Sequence, residues 1–175
     1  MKVLAVILLM AVLSIVANLA MALTDDATAA VTCTVATIVE WDNLAVNPDN
    51  FETIAIDPIT AQGSTPSASK SLVLYTNCDV DITADNTAAA QLTKTTDTLV
   101  TEYKLEYDGD GDPDTGGTNV GWTDWTTFLS GGSAVAHVSL DGAVEVTLFA
   151  RASNDTGNVA DAGAYTALQT LTATW

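Results

Sequence analysis

The feature of this sequence that most restricts its fold is a two-residue alternation of apolar and polar side chains after residue 23. In residues 31–41 the alternate positions carry Val, Cys, Val, Thr, Val and Trp, and in residues 72–82 they carry Leu, Leu, Thr, Cys, Val and Ile. Residues 99–107 alternate in the same way. Successive side chains of a β-strand point to opposite faces, so this pattern predicts strands with one buried face. Helical periodicity is hard to find in the same region.

Turn signals separate these runs and indicate how they are connected. Residues 133–140 and 143–152 flank Asp141–Gly142, and Asp-Gly between two alternating runs predicts a tight hairpin. The resulting series of about eight strands, separated by clusters of Gly, Pro, Asn and Asp, is typical of an all-β protein. We therefore predict a single antiparallel β-sandwich of the Ig-like or jelly-roll type. Further strands of this sandwich are predicted at 52–57, 121–128 and 165–175.

The start of the chain has the character of a signal peptide. Lys2 precedes a long apolar run that ends in Ala20-Met21-Ala22, which fits the small-x-small rule of signal peptidase. An uncleaved single-pass anchor is the alternative, but the polar residues that follow favour cleavage. We expect a signal peptide at 1–22, an N-terminal extension at 23–32 and a sandwich domain at 33–175. The processed protein is then secreted or held at the cell surface, with no segment inserted in the membrane.

The two cysteines, Cys33 and Cys78, both fall on the apolar face of their alternating runs. An even number of cysteines in an exported chain indicates disulfide formation, and the shared apolar face suits a bond between strands. We therefore expect one disulfide, Cys33–Cys78. A redox or metal site is not indicated, because the pair lacks CxxC spacing and the chain has one histidine to assist it.

Acidic residues dominate the charge of the chain. The formal net charge is −17, and the basic residues after position 22 are Lys70, Lys94, Lys104 and Arg151. Such a surface repels the phosphates of nucleic acids and of anionic membranes, so neither is expected as a partner. The composition instead favours solubility, cation binding or adaptation to salt.

No enzyme active site is apparent in the sequence. The one histidine, His137, lies in an alternating run with apolar neighbours, which is a structural position far more often than a catalytic one. The chain has no GxSxG or HExxH motif and no phosphate-cradling glycine loop. Paired carboxylates are unavoidable in a chain this acidic, so they do not indicate a glycosidase. We predict a non-enzymatic protein that requires no cofactor.

The stretch YDGDGDPDTGGTNVGWTDW at 107–125 contains the candidate cation site. Alternate aspartates in a glycine-rich loop can supply the oxygen ligands that calcium prefers. An EF-hand is excluded, because Pro113 stands where its invariant glycine should be and Asn119 stands where its bidentate glutamate should be. The alternatives are a calcium site without that motif and a solvated hairpin loop. The candidate calcium ligands are Asp108, Asp110, Asp112 and Asp114.

Two tryptophans near the end of this stretch could stack on a sugar. At positions i and i+3 of a strand, Trp122 and Trp125 point to opposite faces unless a bulge intervenes, so at least one of them is expected in the core. Both remain candidate glycan contacts. Asn154 begins the sequon Asn-Asp-Thr and is a candidate glycosylation site if the source organism glycosylates.

Four segments of the chain together resemble a known family. AVTCTVATIVEWDNLAV (30–46) carries the first cysteine, KSLVLYTNCDVDIT (70–83) carries the second, and LVTEYKLEYDGDGD (99–112) is a strand with an acidic turn. VEVTLFARASNDTGNVADAGAYTALQTLTATW (144–175) contains an Ala-Arg step, an Ala-Gly-Ala-Tyr element and a Thr-rich last strand. These segments resemble the spore-coat-protein-U domain of Csu-type pilins. A second resemblance is to camelysin-type and archaeal pilus fibre subunits.

The resemblance implies an extracellular subunit of a surface filament or pilus, assembled by strand addition. The N-terminal segment of one subunit would add a strand to the open sheet edge of the next, so the partners are copies of the same protein and an assembly chaperone. Neither face of the implied donor is strongly apolar; a donor extending into 31–39 would be more apolar and would include Cys33. The alternative function is a secreted monomeric module that binds calcium, glycan or both. The implied donor residues are Leu23, Thr24, Asp25, Asp26, Ala27, Thr28, Ala29, Ala30, Val31 and Thr32.

Overall fold

The computed structural model of the chain describes residues 27–42, 50–107, 118–137 and 142–175. Several predicted features lie outside the described residues, namely the signal peptide at 1–22, the first part of the extension at 23–26, and Asp108, Asp110, Asp112 and Asp114. Within the described ranges, no helix is long and apolar enough to cross a membrane.

Strands make up almost all of the regular structure. A single turn of 3-10 helix, Ala88–Ala90, is present, and the described residues contain no α-helix. The prediction of an all-β protein is therefore confirmed. In chain order the strands are β1 (Val39–Asp42), β2 (Ser67–Thr76), β3 (Val80–Ala84), β4 (Thr93–Lys94), β5 (Asp97–Thr98), β6 (Val100–Tyr107), β7 (Thr118–Asp124), β8 (Ser133–Val135), β9 (Ala143–Ser153) and β10 (Leu171–Thr174).

The strands form two sheets and a short ribbon. The large sheet has five strands in the order β1-β2-β9-β6-β7, and the small sheet has three in the order β10-β3-β8. The strands β4 and β5 pair with each other in a separate ribbon. All pairings are antiparallel. The edges of the large sheet are thus β1 and β7, and those of the small sheet are β10 and β8.

The hydrophobic core lies between the large and the small sheet. Burial alternates along β6, where every second residue from Thr101 to Tyr107 is buried and the residues between them are half-buried. The sequence shows the same two-residue period. The apolar face is the buried one because a fully buried aliphatic or aromatic side chain contributes about 1.5–3 kcal/mol to stability relative to an exposed one. One cluster joins both sheets, so the predicted antiparallel sandwich is confirmed. Its members include Leu105 and Val146 from the large sheet, Ile82 and Val135 from the small sheet, and Phe128.

The hairpin predicted around Asp141–Gly142 is wrong. β8 pairs with β3 in the small sheet, whereas β9 pairs with β2 and β6 in the large sheet, so the two flanking strands lie in different sheets. Gly142 instead allows a close approach to β2. Its carbonyl oxygen accepts a 2.8 Å hydrogen bond from the N–H of Thr76, and a Cβ on Gly142 would lie 2.6 Å from the carbonyl oxygen of Thr76. The glycine is required by this contact with a neighbouring strand.

The predicted Cys33–Cys78 disulfide is not formed. Cys33 is exposed, Cys78 is half-buried, and both thiols are free. The antiparallel register pairs Val39 with Thr76, and the same register continued by two residues would set Thr37, not Cys33, opposite Cys78. The two cysteines lie on the apolar faces of their runs, but the strand register does not place them opposite each other. The Cys78 thiol lies 3.6 Å from Oγ1 of Thr76.

Candidate functional site: a cleft beside an unpaired segment

Residues 53–57 behave as a strand without a partner. Ile54 and Ile56 are half-buried and pack against the core, whereas Thr53, Ala55 and Asp57 are exposed. The sequence predicts a strand at 52–57. The structure assigns no strand there, and within the described part of the chain residues 53–57 make no hydrogen bond. Residues 53–57, which we call the open segment, therefore present free main-chain donors and acceptors.

Contacts on its N-terminal side hold the open segment against the large sheet. The ammonium of Lys70 in β2 lies 2.6 Å from a carboxylate oxygen of Glu52. The hydrogen bond from Lys70 and its positive charge lower the pKa of Glu52, so this carboxylate stays ionised at neutral pH. The ring of Phe51 lies 6.3 Å from that of Trp41 in β1, an aromatic contact that packs against the core. Side-chain contacts of the adjacent residues Phe51 and Glu52, and not main-chain hydrogen bonds to another strand, thus position the open segment.

A cleft of about 580 Å³ lies beside the open segment. Residues 53–59 form one wall and residues 159–165 the other, with Leu92, Leu99 and Ala152 between them. Val159 in the second wall is 71% exposed. The cleft is therefore lined largely by apolar side chains that the fold itself leaves uncovered.

Side chains bond three main-chain polar groups of the second wall, residues 159–165. Lys94 donates a 2.7 Å hydrogen bond to the carbonyl oxygen of Ala162, and Oδ1 of Asn154 accepts a 3.0 Å bond from the N–H of Ala160. The hydroxyl of Tyr165 donates to the carbonyl oxygen of Asp161 across 2.9 Å. The two walls therefore differ in part: three main-chain groups of the second wall are bonded by side chains, and in the described part of the chain no main-chain group of the open segment is bonded.

Gly163 and Tyr165 give the second wall its shape. Gly163 has φ +153°, a backbone conformation that favours glycine, and a Cβ there would lie 2.8 Å from Cδ of Lys94 and displace the end of that side chain. The phenol oxygen of Tyr165 also lies 3.4 Å from a carboxylate oxygen of Asp97. Desolvation of the phenol, and then the charge of Asp97, raise the pKa of Tyr165. Tyr165 therefore remains a neutral hydrogen-bond donor at physiological pH.

The N-terminal segment is described separately, because the chain divides into two units between Val35 and Ala36. Residues 27–35 form no regular secondary structure and are all exposed. Val31 is 91% exposed and Val35 is 72% exposed. Cys33 lies between them with a free thiol, and its one hydrogen-bond contact is local, 3.9 Å from Sγ to the carbonyl oxygen of Thr34. Alternate residues of this segment, Val31, Cys33 and Val35, thus carry apolar side chains that are exposed to solvent.

The structure describes the two candidate glycan tryptophans but not the four candidate calcium ligands. The four candidate aspartates of the acidic loop lie outside the described residues, and in the described ranges no three His, Cys, Asp or Glu side chains are grouped to hold a metal. Trp125 packs against the core. Trp122 lies on the outer face of the large sheet, with its ring 6.4 Å from that of Phe149 and 4.6 Å from the guanidinium of Arg151. The two tryptophans do not form one flat surface.

Two further residues singled out in the sequence have structural contacts. The backbone N–H of His137 donates a 2.9 Å hydrogen bond to Asp79, and His137 is half-buried at the end of its strand region. Asn154 lines the cleft as well as bonding Ala160, so a glycan attached there would stand at the cleft wall.

The sequence reasoning found part of this site and missed part of it. The Ala-Gly-Ala-Tyr element that carried the family resemblance, residues 162–165, lies in the second wall. The open segment was read as an ordinary strand, and no signal indicated Lys94, Leu92 or Leu99, because their role depends on which distant segments meet. Comparison of the chain with protein-family models, with curated proteins and with solved structures found no match.

Proposed function

We propose that the protein is an extracellular structural subunit that polymerises into a surface filament by strand addition between copies. In this proposal the N-terminal segment of one copy, centred on residues 31–35, occupies the cleft of the next copy and pairs with its open segment. The observation that carries the proposal is the unbonded main chain of residues 53–57 beside an apolar cleft.

Hydrogen-bond accounting supports the open segment as the acceptor. A strand edge with free N–H and C=O groups is a template for another strand, and an added strand gains main-chain bonds while its alternate side chains enter a groove. The wall at 159–165 offers a less continuous edge, because Lys94, Asn154 and Tyr165 already bond three of its main-chain groups. Within the described ranges, the open segment offers an unbroken run of unbonded main-chain groups to a strand that enters the cleft.

The exposed N-terminal segment supports the identity of the donor. Residues 31–35 equal the open segment in length, and Val31, Cys33 and Val35 share one face of an extended strand. Insertion would bury the two valines, which are 91% and 72% exposed in the single chain. The free thiol of Cys33 removes the objection that a disulfide would tie this residue to its own domain.

The open cleft also supports a transient partner before assembly. An exported subunit with an uncovered apolar cleft and a free strand edge is prone to uncontrolled association. An assembly chaperone that covers the cleft until the donor arrives would prevent this. The expected partners are therefore other copies of the chain and such a chaperone.

A cross-linking experiment tests the proposal. Cys78→Ser leaves Cys33 as the sole thiol, and Ala55→Cys then adds a second thiol in the exposed part of the open segment. After oxidation of the polymer, we expect a ladder of covalent multimers on non-reducing electrophoresis. The matched control is Glu145→Cys, an exposed position on the outer face of β9, which should give no such ladder.

The outcomes separate strand addition from random contact. A ladder that needs both Ala55→Cys and Cys33 supports the proposal, and Cys33→Ser should abolish it. Ladders of equal extent from Ala55→Cys and Glu145→Cys would contradict it. So would native secreted material that shows monomers by negative-stain microscopy and is unaffected by deletion of residues 23–35.

A further inference from the structure

Asn77 binds the main chain of the two positions that flank Thr37, just before β1. Its Nδ2 donates a 2.8 Å hydrogen bond to the carbonyl oxygen of Ala36, and its Oδ1 accepts a 2.8 Å bond from the N–H of Ile38. Its backbone N–H also donates to the carbonyl oxygen of Ile38 across 3.3 Å. One residue therefore satisfies three polar groups on one stretch of chain.

These bonds extend the β1–β2 ladder beyond its last regular pair. Val39 pairs with Thr76, and the next pair in the same register is Ile38 with Asn77. The side-chain amide of Asn77 has the donor and acceptor of a peptide group, so it can hold Ala36 in addition to Ile38. The Asn77 hydrogen bonds extend as far as Ala36, which is the first residue of the second unit of the chain.

On the other side of this point the chain has no comparable anchor. Within the described part of the N-terminal segment, residues 27–35, the one hydrogen bond is the local contact of the Cys33 thiol. The last anchored residue and the first free residue are thus adjacent, Ala36 and Val35. The length of the free segment is set by where the Asn77 bonds begin.

We infer that Asn77 is the positioning residue that fixes the origin of the donor strand. The inference rests on the proposed function, in which residues 31–35 enter the cleft of the next copy. A fixed origin gives every donor the same reach, so each copy docks in the same register and at the same spacing. Without the amide, residues 36 and 37 join the free segment, while the backbone bond still holds Ile38, and the reach grows by up to about 7 Å, at about 3.3 Å for each residue.

The chemistry of the amide makes the inference testable by conservative variants. Asn77→Asp keeps an acceptor for the N–H of Ile38 but places a carboxylate against the carbonyl oxygen of Ala36. Asn77→Ala removes both side-chain bonds and leaves the backbone bond to Ile38. Asn158→Ala is the matched control, because the Asn158 amide makes one long contact of 3.4 Å, to Asp155 on the exposed surface.

The experiment measures three quantities on the protein without residues 1–22. The first is the point at which elastase stops trimming the N-terminus, read by mass spectrometry. The second is the axial repeat of the filaments and its spread, measured by electron microscopy. The third is the melting temperature. We expect both Asn77 variants to be trimmed up to two residues further than the wild type. Their filament repeats should be longer or more widely spread, and Asn158→Ala should behave like the wild type.

Each outcome decides the inference. A lower melting temperature in the Asn77 variants, with an unchanged trimming limit and repeat, would make Asn77 a purely structural residue and overturn it. An unchanged trimming limit in Asn77→Asp and Asn77→Ala alike would also overturn it. If the wild type forms no filaments, the proposed function fails; a shifted trimming limit would then still support Asn77 as the anchor of the free segment.

Discussion

The ammonium group of Lys94 donates a 2.7 Å hydrogen bond to the carbonyl oxygen of Ala162 and joins the β4–β5 ribbon to a wall of the cleft. The same group lies 5.9 Å from the centre of the Tyr165 ring, and its side chain fills the space that a Cβ of Gly163 would need. One lysine thus fixes three neighbouring positions of a wall that has no ladder except the bridge between Thr93 and Thr166.

Replacing this lysine should loosen the wall. Lys94→Met keeps the aliphatic stem but loses the bond to Ala162, and we expect the free energy of unfolding to fall by about 1 kcal/mol. Amide hydrogen exchange should rise in residues 159–165. Lys70→Met is the control, because Lys70 pairs with Glu52, which adjoins the other wall. Faster exchange at 159–165 in both variants would contradict the assignment.

Gly142→Ala should destabilise the sandwich markedly. The added Cβ would lie 2.6 Å from the backbone oxygen of Thr76, and a backbone atom between two paired strands cannot move aside cheaply. We expect a loss of about 2–3 kcal/mol in chemical denaturation. Gly121→Ala, where no atom lies within 4 Å of the new Cβ, should change the stability by less than about 1 kcal/mol. A tolerated Gly142→Ala would show that β2 and this residue are not in close contact.

Alkaline pH should destabilise the fold through Tyr103. Burial raises the pKa of Tyr103 to about 12, and its hydroxyl donates a 2.6 Å hydrogen bond to the carbonyl oxygen of Ala90. In the unfolded chain the pKa of a tyrosine side chain is about 10. Between about pH 10 and about pH 12 the unfolded state therefore binds fewer protons than the folded state, and stability falls as pH rises, by about 2 kcal/mol. Below that window the contribution is fully present.

The Tyr103→Phe variant isolates this effect. It should be less stable than the wild type at pH 7 by about 1 kcal/mol, because the bond to Ala90 is lost. Its stability should then decline less steeply above pH 10, as measured by denaturant titration at several pH values. Tyr75→Phe, a substitution on the outer face of β2, should retain the wild-type slope. Identical slopes for the wild type and Tyr103→Phe would contradict the prediction.

The two thiols should differ in reactivity and in their response to assembly. Both should be alkylated without reductant, because neither is in a disulfide. In the unassembled protein Cys33, which is exposed, should react faster than the half-buried Cys78. In the filament Cys33 should be protected and Cys78 little changed. Mass spectrometry after timed alkylation measures both rates, and a Cys33 equally reactive in both states would argue against its burial in a cleft.

Substitutions on the two faces of the donor should have unequal effects. Val31→Asp with Val35→Asp places two carboxylates on the apolar face, and about 3 kcal/mol of lost burial should weaken association by more than about 100-fold. Thr32→Asp with Thr34→Asp changes the charge equally on the other face and should weaken it far less. Analytical ultracentrifugation measures both. Equal effects would indicate that charge rather than the apolar face decides assembly.

Two alternating runs predicted long strands well, because the two-residue period is a local property. β6 and β9 lie where the runs at 99–107 and 143–152 placed them. Two others did not: the run at 31–41 forms a strand from Val39 onward, and the run at 72–82 is divided between β2 and β3. Pairing is not local. The Asp-Gly signal could not show that β8 belongs to another sheet, and the shared face of the cysteines could not show their register. The cleft escaped prediction for the same reason, since its walls come from 53–59 and 159–165.

Every lysine and arginine in the described part of the chain is already engaged. Lys70 and Arg151 pair with glutamates, Lys94 bonds Ala162, and Lys104 pairs with Glu106 beneath an aromatic ring. The surface negative charge thus has no mobile cationic side chain to offset it. A filament of such subunits would be a polyanion whose strands repel one another sideways. We expect separate filaments in dilute buffer and bundles when magnesium or concentrated salt screens the repulsion, which light scattering can follow.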